Sequence, residues 1–363
     1  MNVRNALLYD TASASFVPGA LRTENGVIAG YEETPDAVDL HGCPVIPGLV
    51  DMHTHGRGGF DFASATVEEM KKMKALYAAV GTTTVIPAIA SAPFSEMLEA
   101  IRRVKAAGFP GVHFEGRYLS PKHRGAHHAS LLALPTEEEL ERIAEAADGI
   151  AVHITLAPEL EGAPDFIREA VKRGITVGIG HTDAAYDEAN EALNAGAVSF
   201  THTYNAMRGL HHREPGTLGA ALLSDAYAEL IADGFHLHPG AVKLVSKVKK
   251  PEKVILITDS MSGTGCPDGT YAIAGNDVVV RGGHAYTTDG AIAGSTLDLF
   301  DGLNNYVSFT GTPFAAALPA ATVNPARCMG IEDTVGSLAI GKKADFLVLS
   351  PDFSRIVAVV TAE

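Results

Sequence analysis

Eight short apolar segments alternate with segments of helical pattern along most of the chain, and this alternation constrains the fold more than any other feature. The apolar residues follow one another without the alternation of a half-exposed strand, so strands formed from these segments are buried on both faces. The predicted strands are Gly48–Met52, Thr83–Pro87, Gly111–Phe114, Ala151–Leu156, Ile175–Ile179, Ala197–Thr201, Glu229–Ala232 and Val254–Thr258.

Ala- and Glu-rich segments with helical spacing lie between most of these strands. They are Val67–Val80, Ser95–Ala107, Glu137–Ala147, Pro164–Arg173 and Ala184–Ala195. Strands buried on both faces and separated by helices indicate a parallel sheet, and a count of eight favours a closed (β/α)8 barrel of the TIM type over an open doubly wound sheet. No Gly-x-Gly-x-x-Gly turn follows a predicted strand, so a dinucleotide-binding fold has no support.

The two ends of the chain have a different pattern. Residues 1–47 contain short β-like pieces at Ala6–Tyr9, Gly26–Ile28 and Val38–Leu40, and Gly336–Ser350 is hairpin-like. We predict that residues 1–47 and 335–363 pair as one small β-sandwich domain, and that residues 48–334 form the barrel. A Gly- and Val-rich stretch near 270–290 is predicted to be a β-like insertion after the last barrel strand.

Charge and cysteine content limit the partners and the compartment. The formal net charge of −15 argues against nucleic acid and against an anionic membrane surface, and no apolar run approaches the ~20 residues of a membrane span. The N-terminal apolar stretch is too short for a signal peptide. Three scattered cysteines provide no disulfide framework. We therefore expect a cytoplasmic protein, in which any anionic substrate needs a local cluster of positive groups.

Two histidines end the first predicted strand, in the segment Val45–Gly56. Side chains alternate between the faces of a strand, so His53 and His55 project to the same side and Thr54 to the other. Two neighbouring imidazoles can form half of a metal site, although they can also be rim histidines bonded to nearby carbonyls. Asp51 is interpreted as support for the barrel mouth.

Polar residues also end four later strands. Glu115 follows the third, His181 the fifth, His202 the sixth and Asp259 the eighth. The C-terminal ends of barrel strands are where such enzymes place their active sites, and imidazoles with carboxylates are ligands of divalent ions. The five strand ends together predict a catalytic metal site.

The chain resembles the amidohydrolase superfamily in its Pro-Gly-x-x-Asp-x-His-x-His strand and its Gly-x-Leu-x-x-Gly-x-x-Ala-Asp tail. Within that superfamily it resembles the N-acetylglucosamine-6-phosphate deacetylase family. The segments that carry this resemblance are His113–Gly116, Leu119–Pro121, Arg124–His127, Gly180–Ala184, Thr201–Met207, His212–Gly216 and Thr258–Met261. The activity it implies is hydrolysis of the acetamide of N-acetyl-D-glucosamine 6-phosphate, in amino-sugar catabolism.

The resemblance also implies roles for the ligands. Glu115, His181 and His202 would hold the shared divalent metal, while His53 and His55 would complete a second site bridged by Glu115. One or two ions are therefore expected, with Zn favoured over Fe, Mn or Co.

Further roles follow from the same resemblance. Asp259 matches the general base and acid, and also a metal ligand, whereas His127 matches the residue that hydrogen-bonds the amide carbonyl. The phosphate-contacting residues correspond to Asn205, Ala206, Arg213 and His236. Arg213 and His236 would reach the neighbouring subunit's site, which implies a homodimer.

Two arginines depart from the family pattern. Arg117 stands where the family usually has proline, and Arg57 follows the histidine pair, so either could alter the phosphate contacts or the preferred sugar. Arg213 could instead pair with Glu214, and His127 could be an ordinary loop histidine. The alternatives for function are deacetylation of N-acetylgalactosamine 6-phosphate, another amidohydrolase reaction, or a non-catalytic scaffold.

Overall fold

The eight predicted strands form one sheet in a computed structural model of the protein, which describes residues 1–273, 275–288 and 290–362. They follow one another in chain order, and all the pairings between neighbours are parallel. The barrel strands, called first to eighth below, are Leu49–Thr54, Thr82–Ile89, Gly111–Glu115, Ala151–Leu156, Thr176–Ile179, Ser199–Phe200, Tyr227–Ile231 and Val254–Ile257. The predicted (β/α)8 barrel is confirmed.

Hydrogen bonds beyond the strand ends join the eighth strand to the first. The backbone N–H of Asp259 donates to the carbonyl of His53 at 2.9 Å, and that of His55 to Ser260 at 2.7 Å. The buried Asp51 carboxylate accepts from the Thr258 hydroxyl at 2.5 Å and from its N–H at 3.3 Å. Asp51 thus supports the barrel mouth, as interpreted from the sequence.

Helices cover the outside of the barrel. The helices of eight or more residues among those described are Val67–Ala79, Phe94–Ala106, Glu137–Ala147, Ala163–Lys172, Tyr186–Ala195, Gly216–Leu223, Pro239–Val248 and Leu299–Thr310. Shorter helical segments are Pro121–His123, Ala129–Leu131, Pro251–Lys253, Phe314–Ala317, Leu318–Ala321 and Val323–Cys328.

Local sequence explains where these helices begin and what they bury. The first begins after a capping box, in which Glu69 and Thr66 each accept a hydrogen bond from the other's backbone N–H. Helix Glu137–Ala147 buries Leu140 and Ile143 on one face, which is the amphipathic pattern of a helix packed on a sheet. No helix in the described ranges combines the length and the apolar character that crossing a bilayer requires.

Strands from both ends of the chain share one seven-stranded sheet, as expected from the sequence. Its strands are Val3–Asp10, Ser15–Glu24, Val27–Gly30, Val38–Asp39, Pro44–Pro47, Phe346–Leu349 and Ile356–Val360. The predicted hairpin within Gly336–Ser350 is misplaced, because Phe346–Leu349 pairs with the later Ile356–Val360 and with Pro44–Pro47 instead.

The predicted β-like insertion is a three-stranded antiparallel sheet of Gly269–Ile273, Asn276–Arg281 and His284–Thr287. Its buried side chains pack against Met261 and Ala293, next to the mouth of the barrel. Two strands of two residues each, Gly56–Arg57 and Phe60–Asp61, pair antiparallel just after the first barrel strand. Both features extend the wall around the strand ends.

Candidate metal centre and active site

The polar side chains predicted at the strand ends converge at the C-terminal mouth of the barrel. Two groups of side chains could each hold a metal ion, and within each group the ligand atoms lie within 4.8 Å of one another. The groups are Glu115 with His181 and His202, and Asp259 with His53 and His55.

The first group is centred on one oxygen of Glu115. Its Oε1 lies 3.2 Å from Nε2 of His181 and 3.2 Å from Nε2 of His202, and these two nitrogens are 3.0 Å apart. The three side chains are nearly inaccessible to solvent. Three lone-pair atoms of this kind face one common point.

The second group uses the other oxygen of the same carboxylate. Glu115 Oε2 lies 3.0 Å from His55 Nε2 and 3.3 Å from His53 Nε2, which are 3.4 Å apart. Asp259 Oδ1 is 3.2 Å from His55 Nε2 and 3.6 Å from His53 Nε2. Glu115 therefore lies between the two groups, in the position of a bridge.

These spacings test whether the residues fit a divalent ion. Four ligands at ~2.0–2.1 Å in a tetrahedron lie ~3.3 Å from one another. Contacts of 3.0–3.2 Å in the first group and 3.0–3.6 Å in the second match that edge length. The donor set, imidazole with carboxylate, suits the ions named from the sequence, so the residues fit one or two cations.

Backbone geometry aims three of these side chains. His181, His202 and Asp259 adopt left-handed conformations with φ of 47°, 29° and 49°. For residues other than glycine, such conformations cost conformational energy. They persist where the surrounding structure fixes them, and they concentrate at functional sites. The backbone thus turns sharply just beyond the fifth, sixth and eighth strands.

The electrostatics of the centre favour positive charge. Burial by itself would raise the pKa of Asp259, but the charge of His53 and a hydrogen bond from His55 lower it to about 2. Burial would likewise lower the pKa of His55, and hydrogen bonds to Asp259 and Glu115 raise it to about 9. Two buried carboxylates thus require compensating cations, which protons or a divalent metal can supply.

Outer partners orient the ligands. His181 Nδ1 donates to the carbonyl of His123 at 2.8 Å, so its Nε2 carries the lone pair that faces Glu115. Glu229, fully buried, accepts from the Ser199 hydroxyl at 2.7 Å and lies 3.9 Å from His53 Nδ1.

His127 lies beside the first group. Its ring is 5.0 Å from that of His181, and its Nε2 is 3.9 Å from Glu115 Oε2. Burial and the charge of His181 lower the pKa of His127 to about 3, so the imidazole is neutral. It lies in a wall of the site, as the sequence predicts.

A cavity of about 370 Å³ opens above both groups. Asn205, Ala206 and His236, three of the four predicted phosphate-contacting residues, line it together with Lys122. The placement of His236 differs from the expectation that it serves a neighbouring subunit. The carboxylate of Asp233 accepts from the N–H of His236 and bonds its Nδ1 at 2.6 Å, which folds this histidine into the cavity of its own chain.

Arg213 lies outside this cavity, in an exposed turn beside His212. The alternative pairing with Glu214 is not what the structure shows, since that carboxylate accepts from the N–H groups of Tyr186 and Gly216.

Neither of the two unexpected arginines lines this cavity. Arg117 pairs with Glu139 at 2.8 Å and stacks over Phe94. Arg57 is buried in an ion pair with Asp298.

Ser91 and Glu229 also belong to this site, and neither is among the residues predicted from the sequence. Ser91 lies just beyond the second barrel strand and is buried against His127. The rule that polar residues at strand ends mark the site would have identified Ser91. Glu229 sits within an apolar run, and only the sheet register places it beneath His53.

Known proteins are similar to this chain in sequence and in structure. Residues 45–361 match the amidohydrolase family. The N-acetylglucosamine-6-phosphate deacetylase of Vibrio furnissii is 37% identical over 345 residues, which cover 91% of this chain and 86% of that protein. The N-acetylgalactosamine-6-phosphate deacetylase of Escherichia coli O157:H7 is 36% identical, with coverage of 91% and 90%.

Solved structures are also similar to this chain over nearly its whole length. A mutant N-acetyl-D-glucosamine-6-phosphate deacetylase from Mycobacterium smegmatis, in complex with N-acetyl-D-glucosamine-6-phosphate, superposes with a TM-score of 0.93 at 33% identity. The match covers 100% of this chain and 98% of that one. The Pasteurella multocida N-acetylglucosamine-6-phosphate deacetylase also gives 0.93, at 29% identity, covering 99% and 98%. The chain therefore belongs to the amidohydrolase family.

Proposed function

We propose that this protein hydrolyses the acetamide of N-acetyl-D-glucosamine 6-phosphate to D-glucosamine 6-phosphate and acetate, as a step of amino-sugar breakdown. The observation that carries the proposal is the convergence of Glu115, four histidines and Asp259 beside one cavity of a chain whose relatives are named for this reaction. A cavity of about 370 Å³ lies in the range of sites for small molecules.

Asp259 acts as general base and then as general acid. The two groups would hold a divalent ion, which would supply polarisation of the amide carbonyl and a lower pKa for water. The Asp259 carboxylate, ionised at neutral pH, takes a proton from the attacking water as the C–O bond forms. It then delivers that proton to the nitrogen as the C–N bond breaks, so that the amine leaves and acetate remains.

His127 stabilises the charge that develops on the carbonyl oxygen. Its neutral ring donates one N–H from a wall of the same cavity. A preorganised donor of this kind is typically worth about 3 kcal/mol of transition-state stabilisation.

The phosphate is bound by Asn205, Ala206 and His236 of one subunit and by Arg213 of a second subunit in a homodimer. A second cavity of about 390 Å³ adjoins the first and shares His236 with it. Asp301 lines this second cavity, and its carboxylate complements a basic turn such as the one that carries Arg213.

The proposal also covers the metal ion, the cellular compartment and the domain organisation. Zinc is the favoured ion over iron, manganese or cobalt, because imidazole and carboxylate ligands at these spacings suit it. The protein acts in the cytoplasm, a location that free cysteines and a step of sugar metabolism both suit. Residues 1–47 and 335–363 act as a small β-domain that supports the barrel of residues 48–334.

A second candidate substrate is N-acetylgalactosamine 6-phosphate, because one relative at 36% identity is named for that sugar. The scaffold alternative is disfavoured, since all six ligand positions carry side chains that can bind a metal.

Acetate release from four sugars tests the proposal: the two N-acetylhexosamine 6-phosphates and their unphosphorylated forms. We expect kcat/KM to be greatest for N-acetylglucosamine 6-phosphate and at least ~100-fold lower without the phosphate, because charge-assisted contacts are lost. Equal rates with and without phosphate would refute the roles given to Arg213 and His236.

A further inference from the structure

Ser91 holds the side chain of His127 through two hydrogen bonds to the same ring nitrogen. The backbone N–H of Ser91 lies 3.3 Å from Nδ1 of His127, and its hydroxyl oxygen lies 2.9 Å from that atom. Both side chains are buried, at 2% and 5% exposure. Water therefore does not compete for these contacts.

The direction of these bonds fixes the position of the ring proton. A backbone N–H can only donate, so Nδ1 accepts. The Ser91 hydroxyl in turn accepts from the N–H of Arg117 at 3.2 Å, and its own hydrogen is left for Nδ1. A neutral imidazole whose Nδ1 accepts carries its proton on Nε2.

The Nε2 atom is the one that faces the reaction. It lies 3.9 Å from Glu115 Oε2, and His127 lines the cavity above the two ligand groups. An N–H there can donate to a substrate carbonyl bound in the cavity, as the proposed function requires, whereas the other tautomer would present a lone pair and repel the oxygen.

The loop after the third barrel strand keeps Ser91 in place. A Cβ at Gly116 would lie 2.5 Å from the Ser91 hydroxyl oxygen and 2.8 Å from its Cα, so only glycine permits this approach. The N–H of Arg117, the next residue, therefore reaches the serine. The departure from the family at Arg117 makes this backbone bond possible, because the proline usual at this position has no N–H.

We propose that Ser91 is a positioning residue that selects the Nε2–H tautomer of His127 and thereby supplies the hydrogen-bond donor for the amide carbonyl. This inference rests on the proposed deacetylase function for the role of the donor, but the tautomer itself is independent of that function.

Nitrogen-15 NMR of the zinc-loaded, histidine-labelled protein tests the tautomer directly. His127 is assigned by comparison with the variant His127→Asn. We expect its proton on Nε2 in the wild-type protein. A proton on Nδ1 would overturn the proposal, whether or not the protein deacetylates any sugar.

Kinetics of Ser91→Ala test the consequence. We expect kcat to fall about tenfold, the effect of one buried hydrogen bond, with KM within about twofold of wild type. In a His127→Asn background the same change is expected to have no further effect on kcat, because the serine acts through the histidine. An equal loss in both backgrounds would contradict this role.

Ser262→Ala is a matched control. It removes another buried serine hydroxyl, which donates to the carbonyl of Ala272 at 2.6 Å, and Ser262 does not line the cavity. We expect the tautomer of His127 to be unchanged and kcat to stay within about twofold of wild type. A drop in kcat as large as that of Ser91→Ala would show that loss of any buried hydroxyl suffices.

Discussion

The backbone N–H of Asp259 donates a hydrogen bond of 2.9 Å to the carbonyl oxygen of His53. This bond joins the last barrel strand to the first beside the two groups of candidate metal ligands. The proposed acid and base is therefore fixed relative to the histidine pair by backbone and not by side-chain contacts alone. The backbone bond that joins the eighth strand to the first thus also fixes residues of the site.

Replacing Asp259 with Asn tests the proton transfer. We expect kcat to fall by about 10²–10⁴, because the amide cannot accept the proton of water or return it to the amine. The variant should fold, since the backbone bond to His53 is retained. Acetate release measures the rate, and circular dichroism measures the fold. A folded variant with near wild-type kcat would exclude Asp259 as the base.

Replacing both His53 and His55 with Asn separates the two ligand groups. We expect the metal content to fall from about two ions to about one per chain, because Glu115, His181 and His202 remain complete. Mass spectrometry of the purified protein measures this content. Glu115→Gln, which removes the shared ligand, should lower the content further. An unchanged content in the double variant would contradict the second group.

Mixed dimers test the proposed contribution of Arg213 to a neighbouring site. Arg213→Ala and Asp259→Asn should each have low activity alone with the phosphorylated sugar. After unfolding and refolding together, about a quarter of the sites would combine an intact Asp259 with an intact partner Arg213, and activity should recover to that extent. Activity that stays at the level of the separate variants would show that Arg213 acts in its own subunit or not at all.

Asp51, which links the first barrel strand to the eighth, is expected to contribute to stability. Asp51→Ala leaves the buried hydroxyl and N–H of Thr258 and the N–H of His53 without their acceptor, so we expect the free energy of unfolding to fall by about 3 kcal/mol. Urea unfolding of the metal-free protein measures it. Glu141→Ala, an exposed helical control, should change it by less than about 0.5 kcal/mol. Equal values for the two variants would refute this role.

Sequence patterns predicted the barrel because a strand buried on both faces is a continuous apolar run. Such a run can be recognised without knowing which strands it pairs with. The strand Ala151–Leu156 and the helix Glu137–Ala147 were predicted to the residue. The sheet of the two termini was harder. Phe346–Leu349 finds its partners in Ile356–Val360 and Pro44–Pro47, and pairing over such distances leaves no local signal.

The candidate ligand residues were predictable because each lies at the end of an apolar strand or just beyond it, as in Ile179-Gly180-His181. What the sequence could not give is which oxygen of Glu115 faces which histidines, since this depends on the side-chain rotamer in the closed barrel. The placement of the His236 side chain could not be predicted from the sequence either, because it depends on a local turn around Asp233.

Acetate release by metal-free and reconstituted protein tests the central claim most directly. The protein is stripped with a chelator, the metal content is measured, and zinc is added back while acetate release from N-acetylglucosamine 6-phosphate is followed. We expect activity to be lost with the metal and restored as the first one or two equivalents bind per chain. Full activity in protein shown to be metal-free, or no acetate from the reconstituted protein with either N-acetylhexosamine 6-phosphate, would contradict the proposed function.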